Sequence, residues 1–257
     1  MTGDGSVFVT SEELTKGSLI TWRSRGTGAV LASRNVAIHD IHDLACVEGT
    51  DSVAVASEDG GWLVSRSGKK PLLLVAKSLD RICPARMGGL TLLGLTDYHC
   101  LEIKVHGEEV KVTSITADQT NPFERFSAIV ALPNGATVLP DQGLKYVPSS
   151  DHLLKTVGKW EGRGIYDIYT NANRFGSVVH FEGVYDPTHT VVFIWQRTKC
   201  WTNGKTADDF HRIHFPSNVR VASAFLTDTG DLWYAANQGL GKTHLRRLDI
   251  SKWVAHS

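Results

Sequence analysis

The chain has 257 residues, 27 Lys and Arg against 27 Asp and Glu, and a hydrophobic content of 42%. This hydrophobic content is typical of globular proteins and excludes the disordered class. The formal net charge of zero excludes a surface that is basic over the whole chain, although local basic patches are still allowed.

The four cysteines lie far apart and form no C-x-x-C motif; they are Cys46, Cys83, Cys100 and Cys200. Scattered thiols of this kind favour a reduced protein, and hence an intracellular one, cytoplasmic or nuclear. The first residues have neither a basic n-region nor an apolar h-region. No apolar run approaches the roughly 20 residues that a membrane helix requires, so we expect no membrane segment.

Short runs of β-branched, aromatic and aliphatic residues follow one another along the whole chain, separated by Gly, Asn, Asp and Ser. They begin at residues 7–10, 19–22 and 29–32 and end at residues 232–235, 244–250 and 253–255. This pattern predicts short strands joined by tight turns. The best helical candidate, residues 11–15, is very short. The predicted fold class is therefore all-β.

The turn that precedes the second strand of each group recurs about every 40 residues, and four short strands in a unit of that length are the signature of a β-propeller. We predict a single β-propeller domain over residues 1–257, with four-stranded blades. Counting the groups gives six blades, with seven as the alternative. We also expect both ends of the chain to share one blade, because a shared blade leaves no unpaired edge.

Several turns resemble known propeller repeats. Residues 227–233 (TDTGDLW), with Gly-Leu and Leu-Asp pairs further on, resemble the hairpin of two-component-regulator propeller repeats, and residues 132–146 are a weaker copy. Residues 57–62 (SEDGGW) resemble a fragment of the sialidase Asp box. The chain shares the period of WD40 repeats, but it has neither a Trp-Asp nor a Gly-His dipeptide. The resemblance implies a propeller architecture without naming one family, and it transfers no activity.

Residues 236–243 (ANQGLGKT) match the loosest form of the phosphate-binding loop, in which Gly241, Lys242 and Thr243 would contact phosphate. That chemistry requires a strand before the loop and a helix after it. The residues that follow, 244–250, alternate as a strand does. We therefore interpret the segment as a hairpin turn and predict no nucleotide binding there.

The densest group of imidazoles and carboxylates is His39, Asp40, His42 and Asp43. Strand alternation would put His39 on one face and Asp40 and His42 on the other. These residues suit a divalent metal, such as Ca²⁺ or Zn²⁺, at the channel mouth of a propeller hydrolase or lactonase. They also suit a strand that enters a blade and bonds to turn amides. We favour the second interpretation and expect no cofactor.

The longest loop, residues 197–209, carries Arg197, Lys199, Trp201 and Lys205. Loops on rigid scaffolds often carry function, and Trp and Arg are favoured where proteins bind one another. We predict that this loop contacts another protein; the alternative is an insertion with Trp201 packed on its own blade. The predicted function is a non-enzymatic interaction scaffold. The alternatives are the metal-dependent hydrolase and, less favoured at zero net charge, RNA binding by basic and aromatic loops.

Overall fold

A computed structural model of the chain describes residues 6–85, 89–96, 99–115, 129–131, 137–140, 143–147, 155–159, 168–172, 178–183, 190–195, 210–214, 220–237 and 243–253. These residues are almost entirely strands, which confirms the all-β prediction. Residues 11–15, the best but very short helical candidate, lie mostly in a strand. One local prediction is wrong: Trp253, expected to begin a strand, ends a short 3₁₀ helix, Ser251–Trp253.

The chain divides into two compact units, Met1–Gly135 and Ala136–Ser257. The strands of the first unit are β1 Val7–Leu14, β2 Gly17–Ser24, β3 Val30–Val36, β4 Ile41–Cys46, β5 Ser52–Ser57, β6 Gly60–Ser65, β7 Leu72–Val75, β8 Arg81–Pro84, β9 Leu90–Leu95, β10 Cys100–His106, β11 Glu109–Ile115 and β12 Val130–Ala131. Those of the second unit are β13 Thr137–Pro140, β14 Gly143–Val147, β15 Lys155–Lys159, β16 Ile168–Ala172, β17 Val178–Gly183, β18 Thr190–Trp195, β19 Phe210–His214, β20 Arg220–Leu226, β21 Asp231–Asn237 and β22 Thr243–Asp249.

The described strands form six sheets, each a meander whose strands follow one another in chain order. The first sheet is β1-β2-β3, the second β4-β5-β6-β7, the third β8-β9-β10-β11, the fourth β12-β13-β14-β15, the fifth β16-β17-β18-β19 and the sixth β20-β21-β22. Every strand pair with a described register is antiparallel. The predicted four-stranded repeat is therefore present, while the number of blades and the shared blade remain predictions.

In the first unit, the second sheet is buried on both faces, and β5 shows how. Its Val53 and Val55 pack in a core with the first sheet, around Ile20 and Trp22. Ala54 and Ala56 pack in another core with the third sheet. Because successive strand residues point to opposite faces, a strand covered on both sides is apolar without alternation. This explains the continuous apolar runs in the sequence.

In the second unit, the sixth sheet packs one face against the fifth around Leu226, Leu232 and Tyr234, with Ile213 of β19 against them. The segment after the predicted hairpin turn is β22, which pairs with β21 along its whole length. A strand thus stands where a phosphate-binding loop requires a helix. Within the described residues, no helix is both long and apolar enough to cross a membrane.

Candidate functional site

The candidate site is the loop end of the first unit, which we define as the β1–β2 turn and residues 37–40, 58–59 and 76–80, with the strand ends that flank them. The first strands of the second and third sheets, β4 and β8, begin here, and β4 contacts β8. Each long loop is anchored by one fully buried aliphatic side chain, Ile38 in the first loop and Leu79 in the second. These anchors fix the loops, so that the neighbouring polar residues hold defined positions.

His39 binds across the first sheet and to the next turn. Its Nδ1 lies 3.2 Å from Glu13 Oε1, and its backbone N–H donates to Asp59 Oδ2 at 3.0 Å. The other oxygen of Glu13 lies 3.0 Å from the Ser18 hydroxyl, which also lies 2.7 Å from the Ile38 carbonyl oxygen. Both His39 and Glu13 are about half exposed, so this pair is mainly a positioning contact.

Asp40 has a φ of +46°, in the left-handed region that residues with a Cβ rarely adopt. Its carbonyl oxygen accepts the Glu58 N–H at 3.2 Å, which joins the β3–β4 loop to the β5–β6 turn. The residue is exposed, and its carboxylate faces solvent. The left-handed conformation of Asp40 interrupts the two-residue alternation expected from the sequence.

His42 is the extra residue of a β-bulge, since the β4–β5 register shifts between Ile41 and Asp43. Its Nδ1 lies 3.1 Å from the Leu79 carbonyl oxygen, so Nδ1 carries the proton and donates. Its Nε2 lies 3.9 Å from Glu58 Oε2, an oxygen that also accepts the Ser78 hydroxyl at 3.1 Å. A catalytic triad would need the serine on the imidazole, and here it bonds to the carboxylate.

Asp43 joins the second and third sheets. Its carboxylate accepts the Leu44 N–H at 2.9 Å and, from β8, the Ile82 N–H at 3.1 Å. Burial raises the pKa of Asp43 above its ordinary value of 3.8, against the lowering effect of these N–H bonds and of Arg81. This is the role that the second interpretation of the cluster predicted, a strand residue bonded to backbone amides.

The four residues of this cluster, for which a metal site was the less favoured interpretation, thus contact separate partners. Among the residues that the structure describes, no group of three or more His, Cys, Asp or Glu side chains is placed to hold a metal ion. Sequence reasoning missed Glu13, Glu58 and Asp59 as partners of the histidines. The signal was present in the Glu-Asp-Gly turn at residues 58–60, which was interpreted for its turn chemistry alone.

The other predicted site residues cannot be compared with the structure in this way. Arg197, Lys199, Trp201 and Lys205 lie outside the described residues, as do Gly241 and Lys242. Thr243 is the first residue of β22. The predicted contact loop therefore stays a prediction.

At the opposite end of the first two sheets, the β6–β7 turn is a rigid basic loop. The Arg34 guanidinium donates to the carbonyl oxygens of Ser65 and Lys69, at 2.7 and 3.1 Å. The Asp51 carboxylate accepts the Ser65 hydroxyl and the Ser67 N–H. Burial acts to raise the pKa of Asp51, but these hydrogen bonds outweigh it and hold the pKa below 3.8.

No protein-family model matches the sequence, and no curated protein matches it either. Solved structures do match. The β-propeller domain of Cps50 (Swd1) from Myceliophteria thermophila aligns with a TM-score of 0.66 at 9% identity, over 96% of this chain and 83% of that one. The WD40 repeats of RRP9 align with a TM-score of 0.59 at 13% identity, over 96% and 78%. A chain of the nidogen/laminin complex aligns with a TM-score of 0.65 at 11% identity, over 96% and 90%.

Identities this low show the fold alone. Together with the repeated antiparallel sheets, they show that this chain is a β-propeller. The propeller prediction is confirmed, and its WD40-like character is confirmed at the level of architecture.

Proposed function

We propose that this protein is a β-propeller scaffold that binds another protein through its loops and performs no chemistry itself. The observation that carries the proposal is the loop end of the first unit. Its loops are bonded to one another through backbone groups, as in Glu58 N–H to the Asp40 carbonyl, while the Asp40 carboxylate faces solvent. Pre-ordered loops lose little entropy on binding, which favours recognition.

One neighbouring structure is of a protein bound to another protein, the nidogen/laminin complex. The laminin or nidogen partner belongs to the neighbouring structure, and the likeness supports only a general protein-binding role for this chain. The part of the chain that the structure describes gives the metal-dependent hydrolase alternative no support, because no group of three or more His, Cys, Asp or Glu side chains there is placed to hold a metal ion.

We retain the loop at residues 197–209 as the proposed main contact. The test uses the tagged full-length chain, cross-linked in its native cells and analysed by mass spectrometry. A specific partner should be retained by the parent and lost when Arg197, Lys199, Trp201 and Lys205 are changed together to Ala. The matched control changes three exposed basic residues of the β6–β7 turn, Arg66, Lys69 and Lys70, to Ala.

Loss of the partner from both variants would indicate a general charge effect and remove the assignment to this loop. If no protein cross-links specifically, the scaffold proposal itself fails. Recovery of RNA instead, with binding that weakens steeply as salt rises, would select the RNA alternative.

We also propose an intracellular location. Cys46 and Cys100 are free thiols, and burial, together with Cys83 and Glu102, raises the pKa of Cys100 far above its ordinary value. A protonated, buried thiol is unreactive, and thiols stay unpaired in the reducing compartments inside cells. Detection of the tagged protein in the culture medium rather than in cells would contradict this.

A further inference from the structure

The guanidinium of Arg34, on β3, has one nitrogen fixed and one edge free. Its Nη1 donates to the carbonyl oxygens of Ser65 and Lys69, which uses both hydrogens of that nitrogen. Its Nε and Nη2 make no hydrogen bond within the part of the chain that the structure describes. Both nitrogens are reached by solvent, because the buried unpaired side-chain atoms of the described residues are tryptophan nitrogens. Arg34 therefore presents an oriented pair of donors beside the β6–β7 turn.

The side chains around that edge are positively charged. Arg66, Lys69 and Lys70 are exposed and belong to the turn that Arg34 contacts. Among the residues that the structure describes, no carboxylate forms an ion pair with any of these three. The nearby carboxylate of Asp51 instead accepts hydrogen bonds from two serines beside them. Four cationic side chains thus meet at one turn with no carboxylate bound to them.

The β6–β7 turn holds its shape before any ligand binds. The Arg66 N–H donates to the Asp51 carbonyl oxygen at 3.0 Å, and the Ser67 N–H donates to the carboxylate of the same residue at 3.0 Å. The two bonds from Arg34 tie the turn to β3 both before and after its tip. A turn that is already fixed loses little entropy when it binds a ligand.

We propose that Arg34 and the basic residues of the β6–β7 turn bind an acidic segment of a partner protein that carries a phosphorylated serine or threonine. The free Nε and Nη2 edge would donate to two oxygens of the phosphate, while Arg66, Lys69 and Lys70 would attract the flanking acidic residues. Recognition of phosphorylated segments by arginine clusters is an established mode of protein binding. The proposal rests on the scaffold function proposed above, and it concerns a partner other than the one assigned to residues 197–209.

The geometry favours a phosphate on a protein over other anions. A phosphate monoester carries a charge of about −1.5 to −2 at pH 7, more than a carboxylate, so a cluster of cations favours it. Residues 66–70 are all exposed, so the turn does not enclose a small molecule, which typically binds in a concave site. A nucleic acid presents phosphates along its whole length and favours a longer basic surface than one turn of a chain with zero net charge.

The test follows the Nε–H resonance of Arg34 in the full-length chain by ¹H–¹⁵N NMR at slightly acidic pH, where this proton exchanges slowly enough to be observed. The probe is the peptide acetyl-Gly-Glu-Glu-phosphoserine-Glu-Gly-amide. The same peptide with unphosphorylated serine, inorganic phosphate and a single-stranded RNA oligonucleotide are titrated separately. The phosphopeptide should shift the Arg34 resonance to saturation, and it should bind severalfold more tightly than either the unphosphorylated peptide or inorganic phosphate.

Two substitutions separate the oriented edge from simple charge. Arg34→Lys keeps the positive charge but removes the planar edge, and it should weaken phosphopeptide binding about tenfold. Arg23→Lys is the matched control, because Arg23 also donates its Nη1 to a turn carbonyl oxygen, that of Gly28 at 3.3 Å, but at the β2–β3 turn. Its affinity for the phosphopeptide should equal that of the parent. Lys69→Gln together with Lys70→Gln should weaken binding severalfold and make it less sensitive to salt.

Equal affinities for the two peptides, or equal losses in Arg34→Lys and Arg23→Lys, would overturn the proposal. So would inorganic phosphate that binds as tightly as the phosphopeptide, which would show an adventitious ion only, or RNA that binds more tightly. The titration of the parent chain requires no variant, so it decides the matter even where a variant does not fold. Cross-linking in cells tests the partner of residues 197–209 separately, so failure of the scaffold function and failure of this site are distinguishable.

Discussion

The β5–β6 turn of the loop end gives the sharpest prediction. Gly60 begins β6 with a φ of +136°, and a Cβ at this position would overlap the carbonyl oxygen of Val75. The Gly60→Ala variant must therefore accept an unfavourable backbone conformation and also displace the end of β7 from β6. We expect the conformational strain to cost about 1–2 kcal/mol, and the forced displacement to add about 1–3 kcal/mol.

Gly68 provides the control that separates these two costs. It also has a positive φ, +97°, but a Cβ there would meet nothing within 4 Å. Gly68→Ala should therefore show only the conformational cost of about 1–2 kcal/mol. The difference between the two variants measures the overlap with Val75 alone.

Urea unfolding of the full-length chain, followed by tryptophan fluorescence, gives both free energies. The amide exchange of Glu58 and Asp59 in Gly60→Ala should also quicken, because that turn is held by the same contact. Equal free energies of unfolding for the two variants would show that β7 moves without cost, and the reasoning from the Val75 contact would be refuted. Gly17, whose Cβ would overlap the carbonyl oxygen of Val36 at the equivalent turn, should behave as Gly60 does.

Three carboxylates give further predictions. Asp51, whose pKa is lowered by Ser65 and Ser67, stabilises the fold fully above pH 3.8 and loses this effect as pH falls through the lowered pKa. Asp51→Asn should cost about 1–2 kcal/mol at pH 7 and progressively less as the pH falls below 3.8, measured by urea unfolding. Burial raises the pKa of Asp43, so the stability that Asp43 contributes is complete below pH 3.8 and declines as the pH rises through the raised pKa. As the pH rises above 3.8, the parent should therefore lose stability relative to Asp43→Asn. Asp40→Ala should cost about 1 kcal/mol and Asp40→Asn almost nothing, because asparagine tolerates the left-handed region; thermal unfolding would show equal stabilities for the two variants if the +46° φ were unimportant.

The sequence was sufficient for the architecture because a propeller is built from a repeated local signal. Each strand of β5 type carries short apolar residues on both faces, and each turn carries Gly, Asn or Asp, so strand and turn are both encoded within a few residues. Residues 244–250 illustrate the strength of this signal. Their alternation indicated a strand despite the preceding Gly-x-Gly-Lys-Thr, and β22 lies there.

The details of the loop end could not be predicted in the same way. The bulge at His42 and the left-handed conformation of Asp40 depend on contacts with residues far along the chain, Leu79 and Glu58. Strict two-residue alternation does not allow for an inserted residue, so it could not predict the bulge at His42. Asp43 was easier, because a carboxylate at the start of a strand commonly binds backbone amides.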